Sequence, residues 1–64
     1  MRDVTIEVER ETDGRWIAEV MNCPGALAYG HSREEAVARA KTLAVVAFAD
    51  LLDHAPVIEP RRRA

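Results

Sequence analysis

Three glutamates near the start of the chain have the residue type and spacing that could do chemistry. Glu7 and Glu9 alternate with apolar residues, and Glu19 follows ten positions after Glu9. Converging carboxylates can hold two metal ions about 3.5–4 Å apart in a nuclease. Here the alternation places all three opposite the apolar residues, and no acid of the predicted helix is placed to complete a metal cage. We predict no metal site; a solvated strand face and a surface for a basic partner both stay open.

The cysteine and the histidines offer little for catalysis. Cys23 is the only cysteine, and His31 and His54 are the only histidines, too few for a zinc site. Cys23 beside Pro24-Gly25 could form a reactive loop, although an isolated cysteine is usually a small hydrophobic residue. Acid–base catalysis by histidine needs a nucleophile or an orienting carboxylate at a suitable spacing, and none is visible. We predict no catalytic residue and no cofactor.

Three short strands are expected to carry these residues. Apolar and polar residues alternate over residues 4–9, as in a half-buried strand. Asp13-Gly14 is a strong hairpin signal, and residues 16–20 alternate again as a second strand. The segment of residues 26–29 has the length of a short third strand, which ends at Gly30. The first two strands therefore form an antiparallel hairpin.

A long helix is predicted over residues 33–53. Ser32 and Glu35 have the spacing of a capping box, in which each side chain accepts from the other residue's backbone N–H. No proline or glycine interrupts the segment, and Pro56 ends it. At 100° per residue, one stripe should face the core, and Val45 and Leu52 should lie beside it. The stripe consists of Ala36, Val37, Ala40, Leu43, Ala44, Ala47, Phe48 and Leu51.

The apolar end of this helix predicts self-association. Twenty-one helical residues span roughly 31 Å, whereas a strand of six or seven residues spans roughly 20–23 Å. The helix must therefore extend beyond its sheet, and exposed apolar surface usually marks an interface. We predict a homodimer or a higher homo-oligomer that associates through Val45, Phe48 and Leu52.

Length and charge set the class of protein. The 64 residues suffice for one domain, here residues 1–55, followed by a flexible tail over residues 56–64 whose three arginines serve solubility. Residues 1–20 carry six acids against three bases, which argues against direct nucleic-acid binding. No leader sequence is visible, and the longest apolar run, residues 43–49, is too short to cross a bilayer. We expect a cytoplasmic protein without membrane contact.

The order of these features resembles the HicB-like antitoxin family. The resemblance rests on the Asp13-Gly14 turn, Trp16 at the start of the second strand, the Pro24-Gly25 step and the helix start over residues 30–36. It covers roughly residues 4–60. It implies an α+β domain of partial RNase H type, in which one long helix packs on a three-stranded antiparallel sheet in the order β-β-β-α.

The same resemblance implies a function. It predicts an antitoxin of a type II toxin–antitoxin system that binds a HicA-type toxin, a small basic RNA-cleaving protein, without enzymatic activity of its own. The implied toxin contacts are Glu7, Glu9 and Glu19. The chain departs from the family in two ways. It ends before the C-terminal DNA-binding domain of many members, and Ala26 stands where the family often has cysteine.

Two other functions remain open. One is a stand-alone homo-oligomeric binding module with no toxin partner. The other is a small metal-dependent ribonuclease, which would require the strand acids to bind Mg²⁺. An adjacent gene for a small basic toxin would favour the antitoxin over the stand-alone module, and Mg²⁺-dependent cleavage lost on mutating the strand acids would support the ribonuclease.

Overall fold

The computed structural model describes residues 4–60, without the side chains of residues 46–50. The elements follow the chain as β1 (Ile6–Arg10), β2 (Trp16–Val20), β3 (Leu27–Gly30), α1 (Arg33–Leu52) and β4 (Val57–Ile58). The predicted hairpin, third strand and long helix are therefore confirmed, with boundaries that differ by at most two residues. The fold is α+β, with α1 on one face of the sheet.

The sheet has four strands rather than three, and it is mixed rather than antiparallel. Its order is β3-β2-β1-β4, with β4 parallel to β1 and the other pairs antiparallel. The Ile6 N–H donates to the Pro56 carbonyl over 2.9 Å, which starts this pairing. Residues 57–58 thus belong to the sheet and not to a flexible tail. Arg61 to Arg63 lie outside the described residues.

The turn between β1 and β2 is a three-residue hairpin loop. The Gly14 N–H donates to the Glu11 carbonyl over 2.9 Å, and the Glu11 N–H donates to the Arg15 carbonyl over 2.7 Å. Gly14 has a φ of +94°, a conformation that glycine adopts without a steric penalty. This pattern is a type I turn followed by a left-handed glycine. The Asp13 carboxylate accepts from the Arg15 N–H, which lowers the pKa of Asp13.

The proline–glycine step is a connector. The Ala26 N–H donates to the Cys23 carbonyl over 3.0 Å, and Gly25 has a φ of +88°. Proline followed by a glycine with positive φ is the signature of a type II turn. Cys23 is half-buried and packs against the core as a free thiol. The segment therefore has an architectural role.

The core lies between α1 and the sheet. It is built from small and β-branched residues, and Trp16 packs at its margin only partly buried. The side chains at most 4% exposed are Val4, Ile6, Val8, Ala18, Val20, Ala26, Ala36, Ala40, Ala44 and Leu52. Alanines four residues apart let α1 lie close to the strands, and α1 packs mainly against β2 and β3.

Three positions of the helix differ from the predicted stripe. Leu43 is 56% exposed and Leu51 is 39% exposed, whereas Leu52 is only 3% exposed. Leu52 belongs to the buried core cluster, and Ala55 and Val57 of the returning chain pack against that cluster. This burial removes Leu52 from the surface predicted for self-association.

The predicted self-association surface also includes Val45 and Phe48. Val45 is 46% exposed, as self-association through it requires. The side chain of Phe48 lies outside the described part of the helix. Self-association through Val45 and Phe48 stays a prediction.

The helix begins with a capping box displaced by one residue from the predicted one. The Ser32 hydroxyl accepts from the Glu35 N–H over 3.1 Å, as expected. The Glu35 carboxylate, however, accepts from the His31 N–H over 2.6 Å instead of from the Ser32 N–H. Its other oxygen lies 3.1 Å from Arg39 one turn later. Glu35 thus joins the end of β3 to the first two turns of α1.

Glu35→Gln is expected to lower stability at neutral pH but not in acid. The hydrogen bond from His31, and then the Arg39 cation, lower the pKa of Glu35 from its usual 4.5. A carboxyl whose pKa is depressed by folding stabilises the protein fully above its unfolded-state pKa. That stability is lost as the pH falls through the folded-state value. The difference in Tm between wild type and variant should therefore close below pH 4.5; a constant difference would contradict this.

Candidate partner-binding face

The face of the sheet opposite α1, called the outer face, carries the predicted site residues. Alternation along each strand places its side chains there, because the intervening residues point into the core. The outer face consists of Glu7, Glu9, Ile17, Glu19, Leu27, Tyr29 and Ile58. All three predicted glutamates are therefore on one surface. Sequence reasoning omitted the apolar members, which the same alternation could have identified.

Two of the glutamates are direct cross-strand neighbours. Glu7 pairs with Glu19, and Glu9 pairs with Ile17. The Met21 N–H donates to the Thr5 carbonyl over 2.8 Å, which makes Glu7 and Glu19 a hydrogen-bonded pair of residues. The Cα atoms in such a pair are about 5.5 Å apart. Like charges placed directly opposite each other destabilise a sheet.

No cation in the described part of the chain forms an ion pair with Glu7 or Glu19. Within residues 4–60, the ion pairs are Arg15 with Asp13 at 2.9 Å and Arg39 with Glu35 at 3.1 Å. Glu7 is half-buried and Glu19 is exposed. The outer face therefore keeps two adjacent carboxylates whose negative potential is available to a partner.

A shallow groove of about 120 Å³ runs beside these carboxylates. Its lining combines apolar residues with carboxylates, and it is called the acidic groove. Its lining residues are Glu7, Val8, Glu9, Glu11, Ile17, Glu19, Leu27 and Pro60. A lysine or arginine side chain fits this chemistry, because its aliphatic stem can lie on apolar surface while its charge reaches the carboxylates.

The other end of the outer face is aromatic and basic. The Arg15 guanidinium lies 4.5 Å from the centroid of the Tyr29 ring, a cation–π distance. Arg15 also contacts Asp13, so that its charge is shared between the ring and a carboxylate. The outer face thus has an acidic part, formed by Glu7, Glu9 and Glu19, and an aromatic and basic end, formed by Tyr29 and Arg15.

The remaining candidates are scattered. His31 and His54 are exposed at the two ends of α1, and Cys23 lies in the turn before β3. Among residues 4–60, no group of three or more histidines, cysteines or acids is arranged to hold a metal ion. The helix that the structure describes is not apolar enough over its length to cross a membrane.

Comparison with known proteins adds no relative. No protein-family model, curated protein or solved structure matches the chain. The resemblance to HicB-like antitoxins therefore stays an interpretation of the motif order in this sequence. The functional inference rests on that interpretation and on the geometry of the outer face.

Proposed function

We propose that the chain is a HicB-like antitoxin that neutralises a small basic RNA-cleaving toxin of the HicA type. The observation that carries the proposal is the pair of opposed carboxylates, Glu7 and Glu19, with Glu9 beside them. Such a pair costs the isolated domain stability. A basic partner would supply the missing countercharge. The packing of α1 on a single face also leaves the outer face for that partner.

Neutralisation in this proposal is occlusion. The carboxylates of the acidic groove take the place of RNA phosphates on the basic surface of the toxin, and the apolar residues of the groove add contact area. Complementary charge speeds the encounter, and a slow dissociation rate then keeps the toxin inactive. No bond is made or broken, so no catalytic residue is needed. Both proteins would act in the cytoplasm, where the RNA is.

The single substitution Glu19→Lys is expected to stabilise the isolated domain and weaken toxin binding. An opposite-charge cross-strand pair stabilises a sheet by about 0.2–1 kcal/mol, which corresponds to a Tm increase of about 1–8 °C. The same change removes a carboxylate from the acidic groove and should reduce affinity about tenfold. Thermal unfolding and calorimetric titration with the toxin measure the two effects.

Glu34→Lys is the matched control for this substitution. Glu34 is exposed in the first turn of α1, away from the outer face, and the change in net charge is the same. Lysine near a helix N-terminus is unfavourable by about 0.3–1 kcal/mol, so this variant should be slightly less stable. Its affinity for the toxin should be unchanged. Equal losses of affinity in the two variants would contradict a specific role for Glu19.

A stand-alone homo-oligomeric module is the second candidate function. It is favoured by exposed apolar side chains on α1, where Leu43 is 56% and Val45 is 46% exposed. A chain that purifies without a partner and inhibits no ribonuclease would support this module over the antitoxin. Mg²⁺-dependent RNA cleavage that is lost in Glu7→Gln would instead support a ribonuclease.

A further inference from the structure

Among the described residues 4–60, no strand pairs with the outer side of β3, which is an edge strand of the sheet. The Val20 N–H donates to the Ala26 carbonyl over 2.9 Å, and the alternation of antiparallel pairing then directs Ala28 and Gly30 to β2. The backbone N–H and C=O groups of Leu27 and Tyr29 therefore point away from the sheet. The opposite edge differs, because β4 covers β1 there.

We propose that β3 pairs with β3 of a second copy of this chain to form a symmetric dimer. A two-fold axis at Ala28 places Leu27 of one copy opposite Tyr29 of the other, and each such pair exchanges two hydrogen bonds. The outward-pointing groups of both residues are then all used. An axis at Leu27 or at Tyr29 would leave half of these hydrogen bonds unmade.

The side chains on the outer face suit this register. Leu27 is 41% exposed and Tyr29 is 40% exposed, and the axis at Ala28 makes them cross-strand neighbours twice. Aromatic and aliphatic residues in that position stabilise a sheet. Glu19 lies beside Leu27, and Arg15 lies on the Tyr29 ring. Each Leu27–Tyr29 contact is therefore flanked by an acid of one copy and a cation of the other.

The helices also reach a packing distance. Helix α1 lies mainly over β2 and β3, and neighbouring strands are about 4.8 Å apart. A helix between β2 and β3 lies one strand spacing from a two-fold axis midway between the two β3 strands. The helices of the two copies are then two spacings apart, about 9.6 Å, within the 8–10 Å at which helices pack. Sheet twist of about 20–25° per strand rotates them by roughly 40–50°, near the commonest crossing angle.

An exposed leucine lies where the two helices would meet. Arg39 donates to the Tyr29 carbonyl over 3.1 Å, which places its side of α1 above the β3 edge. Leu43 is one turn further along the same side and is 56% exposed. The dimer would bury Leu43. It would also break the exposed hydrogen bond from Arg39 to the Tyr29 carbonyl. Four new hydrogen bonds between the two β3 strands would replace this one.

The argument for this interface does not rest on the proposed function, although Leu27 also lines the acidic groove and Glu19 lies beside it. Glu7 and Glu9 lie on β1, two strands from the axis, so that the dimer would leave most of the acidic groove open. It also differs from the predicted interface at the end of α1, since Val45 lines a different surface with Lys41 and Asp53.

A disulfide tests the register directly. Residues at the axis have Cα atoms about 4.5 Å apart, within the 4.4–6.8 Å range that a disulfide spans. In a Cys23→Ser background, Ala28→Cys is expected to give a disulfide-linked dimer on mild oxidation. Leu27→Cys should not, because its counterpart in the second copy is two residues away along the strand. Crosslinking of Leu27→Cys but not of Ala28→Cys would overturn this register.

Light scattering over a concentration series tests the surface. The wild type is expected to be a dimer, and Leu27→Lys and Leu43→Lys are each expected to raise its dissociation constant at least about tenfold. Val45→Lys and Ile58→Lys change side chains that are 46% and 44% exposed away from β3, and should remain dimeric. Circular dichroism confirms that each variant is folded. A monomeric wild type, or dissociation by Val45→Lys alone, would overturn the proposal.

Discussion

Reversing Glu7 and Glu19 together to lysine is expected to weaken toxin binding roughly 100-fold at low salt. The double change replaces two carboxylates of the acidic groove by cations that repel a basic partner. The opposed residues stay like-charged, so the stability of the domain should change much less than the affinity. Adding Glu9→Lys should weaken binding further. Titration at several salt concentrations is the measurement.

The double variant Glu34→Lys, Asp53→Lys is the control for net charge. Both acids are exposed at the ends of α1, and the net charge changes by the same amount. Both double variants should weaken the long-range attraction of the basic toxin. Only the Glu7 and Glu19 double variant should also lose specific contacts with the toxin. The affinity of the outer-face double variant should also depend less on salt than that of the wild type. Unchanged binding at low salt would exclude the acidic groove as the toxin contact.

Replacing Gly30 by alanine is expected to destabilise the domain by about 2–3 kcal/mol. A Cβ at Gly30 would lie 2.5 Å from the Ala36 nitrogen and 3.0 Å from the Ala36 Cα, both backbone atoms of the first turn of α1. The helix would have to move off β3. A domain of this size has only about 3–10 kcal/mol of stability, and the expected decrease in Tm is about 10–20 °C.

Gly14→Asn provides the comparison for Gly30→Ala. Gly14 has a φ of +94°, which asparagine tolerates better than other residues, and a Cβ there meets nothing within 4 Å. This variant should lose much less stability than Gly30→Ala. Similar losses would show that the close approach of β3 to α1 is not what requires glycine at position 30.

Much of the fold could be predicted because it is encoded locally. The Asp13-Gly14 pair, the Pro24-Gly25 step and Ser32 each specify a backbone conformation through their own chemistry, and each does so in the structure. The alternation of β1 and β2 likewise specified which side chains face the core. These signals need no knowledge of the rest of the chain.

What could not be predicted depends on distant contacts. The strand β4 is two residues long, too short for any periodic pattern, and forms because the edge of β1 lies beside the returning chain. Leu51 and Leu43 matched the core stripe by angle, but the helical projection does not record where the sheet ends. Leu52 joins the core cluster against which Ala55 and Val57 of the returning chain pack, and the helical projection does not include that chain.

The candidate site was predictable only in part. Alternation alone placed Glu7, Glu9 and Glu19 on one face. Which of them are opposite each other depends on the hairpin loop, and the three-residue loop ending at Gly14 pairs Glu7 with Glu19. A two-residue loop would give a different register. The opposed carboxylates therefore became visible only in the structure.

The most direct test of the antitoxin proposal is to capture the tagged chain from its native cells. Mass spectrometry would identify the proteins that co-purify, and light scattering would give the mass of the complex. An RNA-cleavage assay would measure the activity of the partner after its separation from the chain. We expect a stoichiometric small basic protein whose RNA cleavage stops when the chain is added back. A chain that purifies only with itself, or a partner whose activity it leaves unchanged, would contradict the proposal.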